Sequence, residues 1–365
     1  MAGAATLTNQ HLNRALLARQ MLLAREPLPP VQAIERLFGM QAQQARPPFV
    51  GLWTRVAGFE RGALLELLRE RSVVRATMWR GTLHLLTAED YLTYRSSMQP
   101  ALTASMRSIL RERLKGVDVQ AIAAAAEQGF EQRPQTFAEL RATLSSTFPG
   151  LDERAMGFVA RCLLPLVTVP DTPDYGFGAA TVFATAKSWL GQAVPTGERI
   201  RDLVLRYLAA FGPATPGDAQ NWSAIPNLKP VFEELRPDLL TFRDERKREL
   251  FDLPDAPRPP ADAPAPVRFL PGFDNAILGH SDRTRIIADE HRPRVSTKNL
   301  QVLPTFLVNG FVAGTWDSAA GKKTATLTLA PFFPMRGKAK GEVVEEAERL
   351  VLFLGPGSFR VEWAG

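Results

Sequence analysis

The chain has one cysteine, Cys162, and four histidines, His11, His84, His280 and His291, in 365 residues. A lone thiol excludes an intramolecular disulfide, and no two histidines stand at metal-ligand spacing, so neither a disulfide framework nor a zinc site is expected. Cys162 lies in the apolar run from Val159 to Leu166 and is expected in the core rather than as a nucleophile. No stretch approaches the roughly 18 consecutive apolar residues of a membrane span. The N-terminus lacks the charged segment, apolar core and cleavage site of a secretion signal. Together with the single cysteine this points to a reducing cytoplasm. A Gly-x-Ser-x-Gly elbow, a Walker loop and a dinucleotide fingerprint are also missing, which removes the usual sequence basis for serine-hydrolase, nucleotide-hydrolase and nicotinamide chemistry. No cofactor or metal is expected.

Acidic charge is scarce in one part of the chain only. Residues 1–116 carry sixteen Lys+Arg against eight Asp+Glu, a balance of +8, whereas residues 117–365 carry 28 against 30, a balance of −2. Fifteen of the sixteen cations are arginine, which makes forked contacts to phosphate as well as supplying charge. The surplus points to a polyanion met by the N-terminal segment.

Helices followed by a two-stranded ribbon recur along the chain. Thr8 caps a helix through Leu12, Leu16 and Leu23; further helices follow near Val31 to Phe38, from Pro48 and around Leu64 to Leu68; Val73 to Met78 and Thr82 to Leu86 then form two strands about Arg80-Gly81. The second copy has helices at Val119 to Phe130, Thr136 to Leu144 and Asp152 to Arg161, then strands Leu163 to Val169 and Thr181 to Ala186. The third has Gly197 to Phe211, a short helix capped near Thr215, Leu228 to Leu235, and strands Leu239 to Arg243 and Lys247 to Asp252. Ribbons at intervals of roughly 80 to 90 residues suggest tandem repeats. An irregular α+β protein is the alternative. Pro254 to Pro266, with six prolines, is a linker, and beyond it the alternation is mostly β, with a hairpin turn at Asn309-Gly310 and one helix at Glu342 to Leu354. The expected fold class is therefore α+β: tandem winged-helix repeats with a C-terminal β-rich, partial-barrel domain. The expected division is 1–116, 117–192 and 193–256 for the winged helices, 257–266 for the linker and 267–365 for the β-rich domain.

Between the first two stops of helix stands Gly39-Met40-Gln41-Ala42-Gln43-Gln44-Ala45-Arg46-Pro47-Pro48. If this connection is extended, Gln41 and Gln43 project to one side, whereas on a helix they would diverge by about 200°. Two readings are open: solvated loop amides, or a pair serving one target.

Four stretches in order carry a resemblance: Met40-Gln41-Ala42-Gln43 before a Pro-capped helix; Met78-Trp79-Arg80-Gly81-Thr82-Leu83-His84-Leu85; Phe211-Gly212-Pro213-Ala214-Thr215; and Leu270-Pro271-Gly272-Phe273-Asp274-Asn275. Together they resemble the winged-helix DNA glycosylases of the AlkZ and YcaQ (AlkX) type, over nearly the whole chain. The resemblance implies a concave DNA-binding body and excision of bulky N7-alkylated purines, with unhooking of interstrand crosslinks in some members. It also implies that Gln41 and Gln43 are the catalytic pair.

The chemistry is compatible with neutral amides. A glutamine is no general base, so the pair would position a water by donating and accepting hydrogen bonds. An N7-alkylated guanine already carries positive charge and leaves as a neutral base without a general acid. Arg46, Arg55, Arg75 and Arg80 are the candidates for DNA-backbone contacts near that centre. His84, on the face of Thr82 and Leu86, is either a packing residue or part of the DNA surface. Arg283 and Arg285, in the polar loop between His280 and His291, suit phosphate or a self-paired charge cluster. Lys322 and Lys323, at a hairpin tip, suit a DNA groove or the protection of a β-edge. Trp53 and Trp79 are expected in the core rather than as intercalating wedges. The expected partner is double-stranded DNA with alkylated purines, bound by a monomer of the cytoplasm associated with the nucleoid and not with a membrane. The competing class is a non-enzymatic winged-helix regulator, which would need two-fold symmetry to meet paired half-sites; a third is a relative that binds an alkylated base or drug without cleaving it.

Overall fold

The structure, a computed structural model, describes residues 5–297, 299–320, 324–355 and 358–364. Strand β1 (Thr6–Leu7) leads into α1 (Asn9–Arg19), which starts where the Thr8 hydroxyl accepts the His11 N–H. Next come α2 (Pro30–Arg36), β2 (Met40–Gln41), α3 (Pro47–Trp53) and α4 (Arg61–Arg69). The first ribbon is β3 (Val73–Thr77) with β4 (Leu83–Thr87), and α5 (Ala88–Ile109) begins at its Thr87 cap. The second group comprises α6 (Val119–Gln132), β5 (Gln135–Thr136), α7 (Phe137–Thr147), α8 (Glu153–Leu163) and the ribbon β6 (Leu166–Val169) with β7 (Val182–Thr185). A capping box opens α7, Thr136 and Glu139 exchanging hydrogen bonds. The third group follows α9 (Ala186–Leu190) and contains α10 (Ile200–Phe211), α11 (Pro216–Ser223), α12 (Lys229–Leu235) and the ribbon β8 (Leu240–Asp244) with β9 (Glu249–Asp252). Beyond the proline-rich segment lie β10 (Arg268–Leu270), the short helices α13 (Asn275–Leu278) and α14 (Arg292–Val295), β11 (Thr305–Val308), β12 (Phe311–Ala320), β13 (Thr324–Pro331), α15 (Gly337–Leu354) and β14 (Ser358–Trp363).

The chain is thus an α+β protein in which a helical group ending in a ribbon recurs three times among the described residues. The ribbons do not stand alone. The first two join edge to edge, β3 against β6 with Arg75 opposite Thr168 and Ala76 opposite Val167, and make one sheet of order β2-β4-β3-β6-β7-β5. Each ribbon thereby covers an edge that would otherwise expose unpaired backbone groups. The third pairs with the N-terminal strand, β1 running parallel to β8. The C-terminal strands form an open sheet, β10-β11-β12-β13-β14, with the buried face of α15 in the same core; it does not close into a barrel.

The largest core ignores chain order. It joins Leu16 and Leu17 of α1, the cluster Phe38, Trp79 and Trp222, Tyr207 and Phe211 of α10, and Leu270, Ile277, Leu307 and Val312 of the C-terminal unit. Trp79 and Trp222 approach at 4.5 Å between ring centroids and Phe38 and Trp79 at 4.8 Å, so the turn of the first ribbon is fixed against the third group. Trp79 is core, as expected, and Trp53 stacks on Phe353 at 5.8 Å with Arg25 over its ring. Cys162 is buried in the core of the second group.

Candidate active site

The connection from α2 to α3 makes its reversal at two left-handed residues, Phe38 at φ 54° and Gly39 at φ 87°. Glycine is required at the second: a Cβ there would lie 3.0 Å from Leu86 Cγ in a backbone region that side chains disfavour. The reversal delivers Met40 and Gln41 as an edge strand on β4, Gln41 opposite His84.

Side chains distant in sequence hold the carbonyls of this segment. Asn275 donates to Leu37 O at 3.2 Å and Gly39 O at 2.6 Å; the Trp79 indole donates to Phe38 O at 3.0 Å; Arg75 donates to Ala42 O at 2.7 Å and Gln43 O at 3.2 Å. Backbone pairing adds the Ala42 N–H to Leu83 O at 2.7 Å. Arg55 and Asp274, both buried, form a forked pair at 2.8 and 2.9 Å that ties α3 to the residue preceding Asn275. The Leu270-to-Asn275 stretch therefore clamps the glutamine loop. Buried carbonyls left unmatched would otherwise each cost about 1–3 kcal/mol.

On this rigid segment Gln41 is buried and Gln43 exposed, and both border one cleft of about 610 Å³. The Gln41 Oε1 accepts from Arg80 Nη2 at 2.8 Å and the Gln43 Oε1 accepts from the Leu83 N–H at 3.2 Å. Both partners are donors only, which fixes each amide with its oxygen toward the protein and its NH2 away. Neither NH2 has an acceptor among the described residues. Arg80 itself stands at φ 56° in the turn between β3 and β4 and is held by the Trp222 carbonyl at 2.6 Å.

Among the described residues three cations border the cleft, Arg80, Arg283 and Arg292, with Ser296, Thr297, Asn299 and Gln301, and no carboxylate lines it. Burial, and then the neighbouring Arg283, lowers the Arg80 guanidinium to about 10, which leaves it charged at neutral pH. Arg283 is lowered by burial and by Arg292. His84 lies behind them, fully buried, its Nδ1 3.1 Å from Thr82 O and its Nε2 3.5 Å from Arg80. Burial and the Arg80 cation push His84 down to about 3, so it is neutral and no acid or base at pH 7. Among the described residues the arrangement is a cationic cleft with two neutral donors and no group that exchanges a proton at neutral pH.

The family model for AlkZ-like DNA glycosylases matches residues 34–353, a span containing the whole cleft. The chain belongs to the AlkZ-like DNA glycosylase family. An interstrand DNA cross-link repair glycosylase of Streptomyces sahachiroi is 27% identical over 318 residues, covering 82% of this chain and 85% of that protein. The solved structure of the Streptomyces sahachiroi DNA glycosylase AlkZ matches with a TM-score of 0.80 at 22% identity, over 98% of this chain and 100% of that one, a likeness of fold.

In this AlkZ-like chain the expected site residues separate into three sets. Gln41, Gln43, Arg80 and Arg283 meet in the cleft. Arg46 borders a neighbouring cavity of about 280 Å³ and donates to Ser318 Oγ at 2.5 Å. Arg55, Arg75 and Arg285, candidates for the DNA surface, are buried against partners in other parts of the chain, and His84 takes the packing alternative, buried against Thr82 and Arg80. Arg55 serves the Asp274 clamp; Arg75 grips the loop and lies 4.8 Å from the Phe177 ring; Arg285 donates to Pro213 O at 2.8 Å. Lys322 and Lys323 lie outside the described residues. Sequence reasoning missed Arg292, Asn299 and Gln301, which carry no periodic or motif signal; the one cue was the polar run that begins at Asp282. It also missed the role of Asn275, whose motif was noted without its task.

Proposed function

We propose that this protein hydrolyses the N-glycosidic bond of bulky or cationic N7-alkylated purines in double-stranded DNA, as a monofunctional glycosylase working as a monomer, and that interstrand crosslinks through such purines are unhooked by the same step. The observation that carries the reading is a pair of amides, each anchored by its oxygen to a donor, in a cleft whose described lining holds three arginines and no carboxylate.

The chemistry follows from what is absent. The C1′–N9 bond breaks with its electron pair going to N9, and the cationic base leaves neutral, so no side chain has to protonate it. The sugar becomes oxocarbenium-like, the flanking phosphates stabilise it, and a water oxygen adds to C1′ and loses its proton to solvent. One amide NH2 donates to that water and leaves the water's second lone pair for C1′, while an Oε1 lone pair not used by Arg80 or Leu83 accepts one of the water's hydrogens and so orients it. Arg80, by donating to Gln41, polarises the amide and stiffens it. Arg80, Arg283 and Arg292 meet the phosphates on either side of the lesion. The cavity beside Arg46, which shares Phe273, Gln301 and Val302 with the cleft, provides room for a bulky substituent.

The test is incubation with duplexes containing N7-methylguanine or a nitrogen-mustard crosslink, followed by assay for abasic sites. The expected product is an abasic site from the methylated duplex and an unhooked strand from the crosslink, with uracil left in place. No product from either substrate, together with tight site-specific binding to undamaged DNA, overturns the reading in favour of a regulator.

A further inference from the structure

Leu300 is the most exposed large apolar side chain among the described residues, at 85%. It occupies a left-handed conformation, φ 58°, where glycine or asparagine is the comfortable choice. A leucine in that place sets backbone preference against the folded state, and strain of this kind concentrates at functional sites. Hydrogen bonds between its described residues close the turn that displays it. The Leu300 N–H donates to Thr297 O at 3.0 Å, the Thr297 N–H to Gln301 O at 2.9 Å and the Gln301 N–H to Thr297 Oγ1 at 3.2 Å. Ser296 and Val302 pair below as a bridge, over the buried Val295.

The turn stands on the cleft. Leu300, Asn299 and Gln301 line it together with Gln41, Gln43, Arg80, Arg283 and Arg292. A ligand for this mouth must offer anionic groups to the arginines and apolar planes to the leucine side by side, which is the repeat of a nucleic-acid strand. A lipid or an acidic peptide also offers charge with apolar groups, but neither has use for a site built around a positioned water.

We propose that Leu300 is a wedge: with the strand's phosphates against the arginines, its side chain enters the base stack beside the alkylated purine, unstacks it, and brings C1′ toward the glutamines. Apolar wedges of this kind kink duplexes at the step they enter. The inference rests on the glycosylase reading for its purpose, but its physical content, unstacking on binding, is measurable without excision.

The test compares wild type with Leu300→Asn, which suits the left-handed backbone and removes the apolar wedge, and Leu300→Met, which keeps apolar bulk. A duplex carries 2-aminopurine next to N7-methylguanine, and its fluorescence is followed on binding. Wild type and Leu300→Met are expected to raise the fluorescence severalfold, and Leu300→Asn, bound at saturation, to leave it flat. Excision from the matched duplex by Leu300→Asn is expected to fall by about tenfold or more, since unstacking then goes unassisted. A lesion flanked by mismatches, already unstacked, should restore wild-type rate. Equal fluorescence and equal excision for wild type and Leu300→Asn overturn the wedge, and so does a loss that the mismatches fail to rescue. Absence of excision by wild type overturns the glycosylase reading instead, and the fluorescence comparison still decides the wedge.

Discussion

Replacing Arg55 by alanine distinguishes a cation that builds the site from one that binds DNA. Its guanidinium is fully buried and donates to Asp274 at 2.8 and 2.9 Å and to the carbonyls of Gln20 and Gly51 at 3.0 Å each. Arg55→Ala would leave the Asp274 carboxylate buried with the Ala276 N–H at 2.9 Å as its remaining partner, and two carbonyls without a donor. Removing one side of a buried pair costs about 3–5 kcal/mol. That is a large share of the roughly 5–15 kcal/mol that separates folded from unfolded protein. Urea unfolding is expected to show a midpoint lowered by about 1–2 M for an ordinary dependence on denaturant. The double variant Arg55→Met with Asp274→Leu, which leaves no unpaired buried charge, should be more stable than Arg55→Ala but short of wild type, because the Gln20 and Gly51 carbonyls and the Ala276 N–H stay unmatched. Folded Arg55→Ala should bind DNA with an unchanged salt dependence, whereas loss of one phosphate contact would lower the slope of log K against log salt by about 0.9. An unfolding midpoint equal to wild type, with the slope lowered by that amount, would refute the structural role and return Arg55 to the DNA surface.

Gly39→Ala places a Cβ in a left-handed conformation 3.0 Å from Leu86; a loss of about 1–3 kcal/mol in thermal or urea unfolding is expected, with a slower excision rate because Gln41 moves with the loop. Arg80→Lys keeps a cation but cannot hold Gln41 Oε1 and the Trp222 carbonyl together; single-turnover excision should slow by about tenfold or more, with affinity for the duplex less affected. For pH, His84 and His280 are each depressed to about 3, first by burial. Between pH 6.5 and 3 the unfolded chain binds protons at both and the folded chain does not, so stability falls as the pH drops through that range. The slope is about 1.4 kcal/mol per pH unit for each histidine. It is measured as urea midpoint against pH. Excision should stay level between pH 6.5 and 8.5, because no described group lining the cleft exchanges a proton there.

Much of the fold is legible from local signals because caps, proline stops and alternation act within a few residues. Thr8, Thr136 and Thr215 cap helices close to the expected starts, and the ribbons fall within a few residues of their expected bounds. Pairings between remote segments are not legible in that way. Nothing local to Arg75 or Thr168 announces that the first two ribbons share a sheet, and nothing local to Arg55 announces a carboxylate 219 residues away. An arginine suits a phosphate by charge and fork, yet its five donors also suit the carbonyl-rich interior of a tight loop. Gln41 and Gln43 could be singled out because they sit between two helix stops in a basic segment. The opposing residues Arg292 to Gln301 have no such punctuation, and their place on the cleft depends on how the C-terminal unit folds back.

The most direct test is single-turnover release of N7-methylguanine from a duplex by wild type, Gln41→Ala, Gln43→Ala and the double variant, with folding checked by unfolding midpoint. Wild type should release the base and leave an abasic site, and each single variant should lose about 10² in rate if its amide acts like other positioning donors. The double variant should lose little more than the worse single one, since both amides hold one water. Release at the wild-type rate by the double variant would contradict the assignment of the two glutamines as the site.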